Sequence, residues 1–190
     1  MKIGILALQG AFARHAHAIE TLGAAPVEVR APEHLATIDA LVMPGGESTT
    51  MSKLLESQLL FDPLDERLRG GMPVLGTCAG MILLASTVLD GRADQRSFGA
   101  IDIDVRRNSY GRQVDSFETD LDVDGFDDPM HAVFIRAPAV ERVGRGVEVL
   151  ARVEGAPVLC ASGSVLVTSF HPELTDDLRV HEMLLSLGGK

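Results

Sequence analysis

Tryptophan is absent from this 190-residue chain and tyrosine occurs once. With so few flat rings there is no platform on which unstacked nucleic-acid bases could lie. Positive charge is also scarce: 17 Lys and Arg against 27 Asp and Glu leave a formal charge of −10. Phosphate backbones and anionic lipid surfaces both need clustered basic residues, so nucleic acid and membrane are excluded as main partners. Two cysteines, Cys78 and Cys160, are too few for a disulfide framework and fit a reducing, cytoplasmic setting. One uncharged stretch, residues 70–89, matches a membrane span in length, but four glycines and Pro73 interrupt it. It reads as a buried strand that turns into a helix. At the start, Lys2, an apolar run over 3–8 and Ala11-Phe12-Ala13 imitate a secretory signal. Gln9 and Gly10 break that run, and the competing reading is a buried first strand followed by a helix.

What is present is ordinary globular composition, 46% apolar and 23% charged. The length is that of a single domain over residues 1–190. Short apolar runs alternate with helical periods in the front half. Strands are expected at 3–8, 26–29, 40–43 and 73–77. Phe12, Ala16, Ile19 and Leu22 recur at helical spacing, with Gly23 placed to end that helix. Further helices are expected after Ser48 or Thr49, either of which suits an N-cap, at 63–68 and from 79 to 85. Beyond about residue 98, alternation takes over: 101–105, 114–121, 130–135, 147–153, 157–161 and 164–170 read as strands. Turns at 108–109, 124–125 and 162–163 separate them. A last helix turns Val180, Met183, Leu184 and Leu187 to one face. The fold class is therefore α/β, a mostly parallel central sheet with helices on both faces and additional antiparallel strands in the C-terminal half.

Three segments carry chemistry. Gly76-Thr77-Cys78-Ala79-Gly80 joins an apolar strand to a helix. A residue in such a turn is pushed outward at the strand's carboxyl end, and glycines on either side leave room for the bend. Cys78 there is either a nucleophile, favoured as a thiolate by the helix N-terminus, or a buried structural thiol. The Ala79 N–H can face an oxyanion. Cys160 has no glycine frame and reads as inert core. A thiol nucleophile needs a base, and only His171 has a carboxylate at a suitable spacing, in His171-Pro172-Glu173. In extended backbone i and i+2 point the same way, so Glu173 would hold the ring and the ring would meet Cys78. The alternative is a strand-end histidine beside a solvated glutamate. The other histidines look bland. His15 and His17 fall on different helix faces, and His181, beside Glu182, reads as exposed. The third segment, Pro44-Gly45-Gly46-Glu47-Ser48, is a ligand-approach loop or a plain turn. It lacks the lysine of a phosphate-binding loop. Two near-motifs fail. Asp120, Asp122, Asp124 and Gly125 imitate a calcium loop, but His131 stands where a bidentate glutamate belongs, so an acidic hairpin turn is expected. Gly144-Arg145-Gly146 lacks the third glycine of a dinucleotide site.

Taken together, G-x-C-x-G and a distant H-x-E resemble the class I (triad) glutamine amidotransferases. The resemblance extends to Leu6-Ala7-Leu8-Gln9-Gly10, residues 44–50, Arg107-Asn108-Ser109-Tyr110-Gly111-Arg112-Gln113 with Ser116-Phe117-Glu118, Phe134-Ile135-Arg136-Ala137-Pro138 and residues 169–175. This set is similar to the glutaminase subunits of pyridoxal 5′-phosphate synthases and covers essentially the whole chain. The resemblance implies a first strand, not a signal, at residues 3–8. It implies Cys78 as nucleophile, His171 as base and Glu173 as its orienter. It implies contacts to L-glutamine from Gly46, Glu47, Ser48, Arg107, Ile135 and Arg136, and an oxyanion hole that Gln9 and Gly10 complete beside Ala79. No metal or organic cofactor is implied. The implied partner is a (β/α)8-barrel synthase subunit, in a multi-subunit hetero-oligomer, that takes up the ammonia and switches the glutaminase on. Two rivals stand beside this reading: a related thiol enzyme such as a γ-glutamyl hydrolase or the glutaminase of another synthase, and a non-catalytic binding subunit.

Overall fold

A computed structural model describes residues 1–107 and 116–189. The chain opens with β1 (Lys2–Leu6), α1 (Phe12–Thr21), β2 (Ala25–Val29), α2 (Pro32–Leu35), β3 (Ala40–Met43), α3 (Ser48–Ser57) and α4 (Phe61–Arg69). It continues with β4 (Val74–Thr77), α5 (Ala79–Leu84), β5 (Ala85–Val88), β6 (Ile101–Arg106), β7 (Phe117–Leu121) and β8 (Met130–Phe134). It ends with β9 (Ala139–Val143), β10 (Glu148–Val153), β11 (Ala156–Ser162), β12 (Val165–Thr168), a 3-10 turn (Pro172–Leu174) and α6 (Arg179–Gly188).

The main sheet has seven strands in the order β10-β11-β12-β4-β3-β1-β2. Pairing is parallel from β12 through β2, and antiparallel where β11 and β10 extend the edge. Alternate residues of each strand enter opposite cores, as a period of two requires. Leu41, Met43, Val74, Val165 and Val167 pack with α2 to α5 and the small β5-β6-β9 sheet. Ala40, Val42, Leu75 and Leu166 pack with α1, α6 and the β7-β8 hairpin. The central strands β3, β4 and β12 are buried at every position, which explains their unbroken apolar runs.

The expected fold class is therefore the observed one, with local differences. β5, β9 and α2 were not anticipated. The helix that begins at Ala79 stops at Leu84, because Ala85 turns extended (ψ 151°) and Ser-Thr-Val prefers a strand. β9 buries only Val140 fully, too little apolar signal for alternation to reveal. The helix expected at 63–68 runs from Phe61 to Arg69. The N-cap of α3 is Glu47, neither Ser48 nor Thr49; its carboxylate accepts the N–H groups of Thr49 at 3.0 Å and Thr50 at 2.7 Å. Gly23 follows the α1 C-cap at φ +78°, as its placement suggested. The acidic segment 120–125 leads from β7 into a hairpin. The expected turn at 108–109, the motif residues 108–113 and the first two positions of the strand read at 114–121 lie outside the described residues.

Candidate active site

Parallel strands deliver their carboxyl ends to one edge of a sheet, and ligands collect there. At that edge the loop after β1 carries Gln9 and Gly10, the loop after β3 carries Gly45 to Glu47, the turn after β4 carries Cys78, and the exit from β12 carries His171. Together with Ile135 and Arg136 from beyond β8 and Arg107 from beyond β6, they line a cleft of about 620 Å³. Every residue expected to touch substrate lines this cleft except Ala79, which is buried in the first turn of α5.

Cys78 sits at φ 51° and ψ −103°, a sharp elbow between β4 and α5. Its N–H donates to Thr168 O at 2.8 Å, which carries the β4–β12 ladder into the bend. The flanking glycines are needed for contact as well as for freedom. A Cβ on Gly80 would lie 2.0 Å from Met43 O, and one on Gly76 would lie 2.6 Å from Leu84 Cδ1. Cys78 is 8% exposed, lines the cleft, and holds its Sγ 4.0 Å from Ile135 O. Gly10, at φ +87°, packs so closely on the next loop that a Cβ would stand 1.9 Å from Gly45 O. A Cβ on Gly45 would meet His171 Cε1 at 2.6 Å and Cys78 Cβ at 3.4 Å. The two bare backbones let imidazole and sulfur share one wall.

His171 Nδ1 is 2.8 Å from Glu173 Oε1, which fixes the proton on that nitrogen and leaves Nε2 for Cys78. His171 and Glu173 do meet, but through a geometry other than the expected one. Pro172 to Leu174 form a 3-10 turn, not extended backbone, and the turn itself brings Glu173 back beneath the ring. Glu173 is buried, not solvated. Burial opposes the imidazolium, but contacts with Cys78 and Glu173 outweigh it and raise His171 to about 10. Burial likewise opposes the Glu173 carboxylate, and the His171 bond with the nearby charges brings its pKa below the usual range. Cys160 is fully buried and burial pushes its thiol up to about 11, in keeping with inert core.

Around the rim, Glu47 spends its carboxylate on the cap of α3, while its N–H donates to Gln9 Oε1 at 2.9 Å. Burial is the largest single influence and opposes that carboxylate; the hydrogen bonds from Thr50 and Thr49 together outweigh it and lower it to about 2. Ser48 is buried at the start of α3. Ile135 is exposed, and Arg136 takes φ 46°, so this corner holds a strained residue over the cleft. Arg107 donates to Thr49 Oγ1 at 2.8 Å and to Gln95 Oε1 at 3.3 Å, and its backbone N–H reaches Asp90 at 2.8 Å. Gln95 and Asp90 carried no motif and were missed; Thr49 lay within the 44–50 motif but was read only as a helix cap. Two histidines were misjudged. His181 is fully buried, not exposed, and His15 is buried too, 3.3 Å from Glu173 Oε2. Periodicity contained the signal, since His15 stands four residues before buried Ile19 and His181 three before buried Leu184.

Fold and site together define an α/β protein with a cysteine, a histidine and a glutamate gathered at a strand-to-helix elbow. The chain belongs to the SNO glutamine amidotransferase family, which it matches over residues 5–187. It is 60% identical to a pyridoxal 5′-phosphate synthase subunit PdxT of Mycobacteroides abscessus, covering 97% of this chain and 96% of that one. The PdxT of Frankia alni is 57% identical, covering 98% and 94%. A crystal structure of a glutamine amidotransferase superposes with a TM-score of 0.93 at 48% identity and covers 99% of both chains.

Proposed function

We propose that this chain, as one domain over residues 1–190, is a glutaminase that hydrolyses L-glutamine and supplies the ammonia to a pyridoxal 5′-phosphate synthase subunit. The observation that carries this reading is the His171–Glu173 bond at 2.8 Å, with the ring set against the Cys78 elbow inside the cleft. The kinship with PdxT subunits supports the destination of the ammonia.

Cys78 attacks the side-chain amide carbon of glutamine as the thiolate, paired with the His171 imidazolium. His171 gives its Nε2 proton to the departing nitrogen, which leaves as ammonia, and a γ-glutamyl thioester remains on Cys78. Water, deprotonated by the now neutral His171, attacks the thioester, releases glutamate and restores the thiolate–imidazolium pair. Glu173 keeps the ring in the one tautomer that can do this. The carbonyl oxygen of the intermediate is met by N–H groups from Ala79 and the Gln9-Gly10 loop. Arg107 and Arg136 suit the α-carboxylate, and Gly46, Glu47, Ser48 and Ile135 frame the rest of the amino acid. The partner is a (β/α)8-barrel synthase in a hetero-oligomer, and the setting is the cytoplasm, which suits two unoxidised thiols.

The test is glutamate release with and without added synthase subunit, run beside Cys78→Ala. Release that rises with the synthase and falls by about 10³-fold or more in the variant supports the reading. Undiminished release by Cys78→Ala would refute it, and equal rates with and without synthase would make the chain a free-standing hydrolase. A glutamine-like electrophile should label Cys78 and spare Cys160.

A further inference from the structure

Helices α1 and α6 each send one histidine into the interior behind the cleft, and both rings are fully buried. His15 Nδ1 and His181 Nε2 are 2.9 Å apart. Glu173 uses Oε1 for His171; its other oxygen, Oε2, is enclosed, makes no hydrogen bond of ideal geometry, and faces His15 Nε2 at 3.3 Å. Successive contacts link five residues from the cleft floor to the interior beside α1 and α6: Cys78, His171, Glu173, His15, His181.

Protons along this line are determined by chemistry. A carboxylate only accepts, so His15 Nε2 must carry a proton toward Oε2; a lone pair there would repel it. A neutral His15 then has a bare Nδ1, and His181 must donate from Nε2. That leaves His181 Nδ1 bare, and this atom is indeed buried without a partner. Both rings are neutral: burial, only partly offset by Glu173, holds His15 down at about 4 and His181 at about 3. The groups facing His15 are Glu173, His171, His181 and the Thr77 hydroxyl at 3.5 Å; those facing His181 are His15 and Glu173. Two imidazoles in an apolar interior, one with an unpaired nitrogen, are a poor solution for packing alone, since aliphatic side chains would fill the space without desolvation.

We propose that His15 and His181 are positioning residues for the reaction, a neutral two-imidazole strut that holds the Glu173 carboxylate in the plane that orients His171. The role rests on the glutaminase reading. Without a proton at His15 Nε2, Oε2 would be a buried anionic oxygen with no donor, and the carboxylate would rotate and take the ring of His171 with it. Binding of glutamine would be untouched, because neither histidine lines the cleft.

The test has two parts. Long-range proton–nitrogen NMR on histidine-labelled wild-type protein should find both His15 and His181 protonated on Nε2; an Nδ1-protonated form of either ring would overturn the proposal. Kinetics, with synthase subunit present, should find kcat for glutamate release about tenfold or more lower in His15→Leu, with KM within about twofold. His15→Gln places an amide N–H near the Nε2 position and should recover most of the loss. Wild-type turnover that survives His15→Leu, or His15→Gln no better than His15→Leu, overturns the positioning role alone. Absence of turnover in the wild type overturns the glutaminase reading itself. If His15→Leu does not fold, the tautomer measurement and His15→Gln still decide.

Discussion

Cys78 occupies a backbone region that penalises any residue with a Cβ, at φ 51° and ψ −103°. Such strain is worth about 1–3 kcal/mol and persists because the surrounding loops enforce it. The usual order of substitution should therefore invert here. Cys78→Gly should unfold at a higher denaturant concentration than Cys78→Ala, by about 1–3 kcal/mol, although both lack the nucleophile. Urea denaturation of the pair measures this directly, and an Ala variant at least as stable as the Gly variant would mean that the elbow carries no strain. At Gly80 the limit is contact, not conformation. A methyl there collides with Met43 O on the neighbouring strand, so Gly80→Ala should lose at least about 2 kcal/mol in the same assay and reduce activity by shifting the elbow. The glycine frame was legible as a motif, but the atom that limits Gly80 was not, because it belongs to a strand more than thirty residues away.

Among the elements, α3 shows how a binding loop and a helix cap can be one structure. Glu47 closes the first turn of α3 and at the same time edges the cleft. Its carboxylate is held at about 2 because the threonine donors together outweigh the opposing effect of burial. The sign follows: the cap contributes fully above the unfolded value near 4.5 and fades as pH falls toward about 2. Glu47→Ala should cost about 1 kcal/mol in thermal or urea denaturation at neutral pH, and wild type and variant should converge as pH approaches 2. A gap that stays constant down to that pH would show that the carboxylate is not the cap. Sequence placed the start of α3 within a residue but chose Ser48 or Thr49, since short hydroxyls are the commoner caps. It found the short central strands β3, β4 and β12 because they are buried on both faces. It passed over β5 and β9, which are half exposed and pair with β6.

At the scale of the whole molecule, the catalytic edge is a product of topology. Loops that begin near residues 9, 45, 78 and 171 meet only because β1, β3, β4 and β12 run parallel and adjacent. Motifs supplied the residues at that edge; what lies behind it, under α1 and α6, left no motif. The concealed histidines nonetheless govern how the fold responds to acid. His15 and His181 have folded values of about 4 and about 3, below the ordinary 6.5 that applies when the chain unfolds. At these two positions the unfolded chain therefore binds protons first, so the stability that His15 and His181 contribute is fully present above pH 6.5 and declines as pH falls through 6.5 toward 4. For His15 alone the decline is on the order of 2–3 kcal/mol by pH 4.5. Urea midpoints taken at pH 7 and pH 4.5 should fall steeply for the wild type and less steeply for His15→Gln, which has no imidazole to protonate at that position. Parallel falls in the two proteins would mean that the ring at position 15 is already charged in the folded state, and a cation beside Glu173 would then replace the neutral donor.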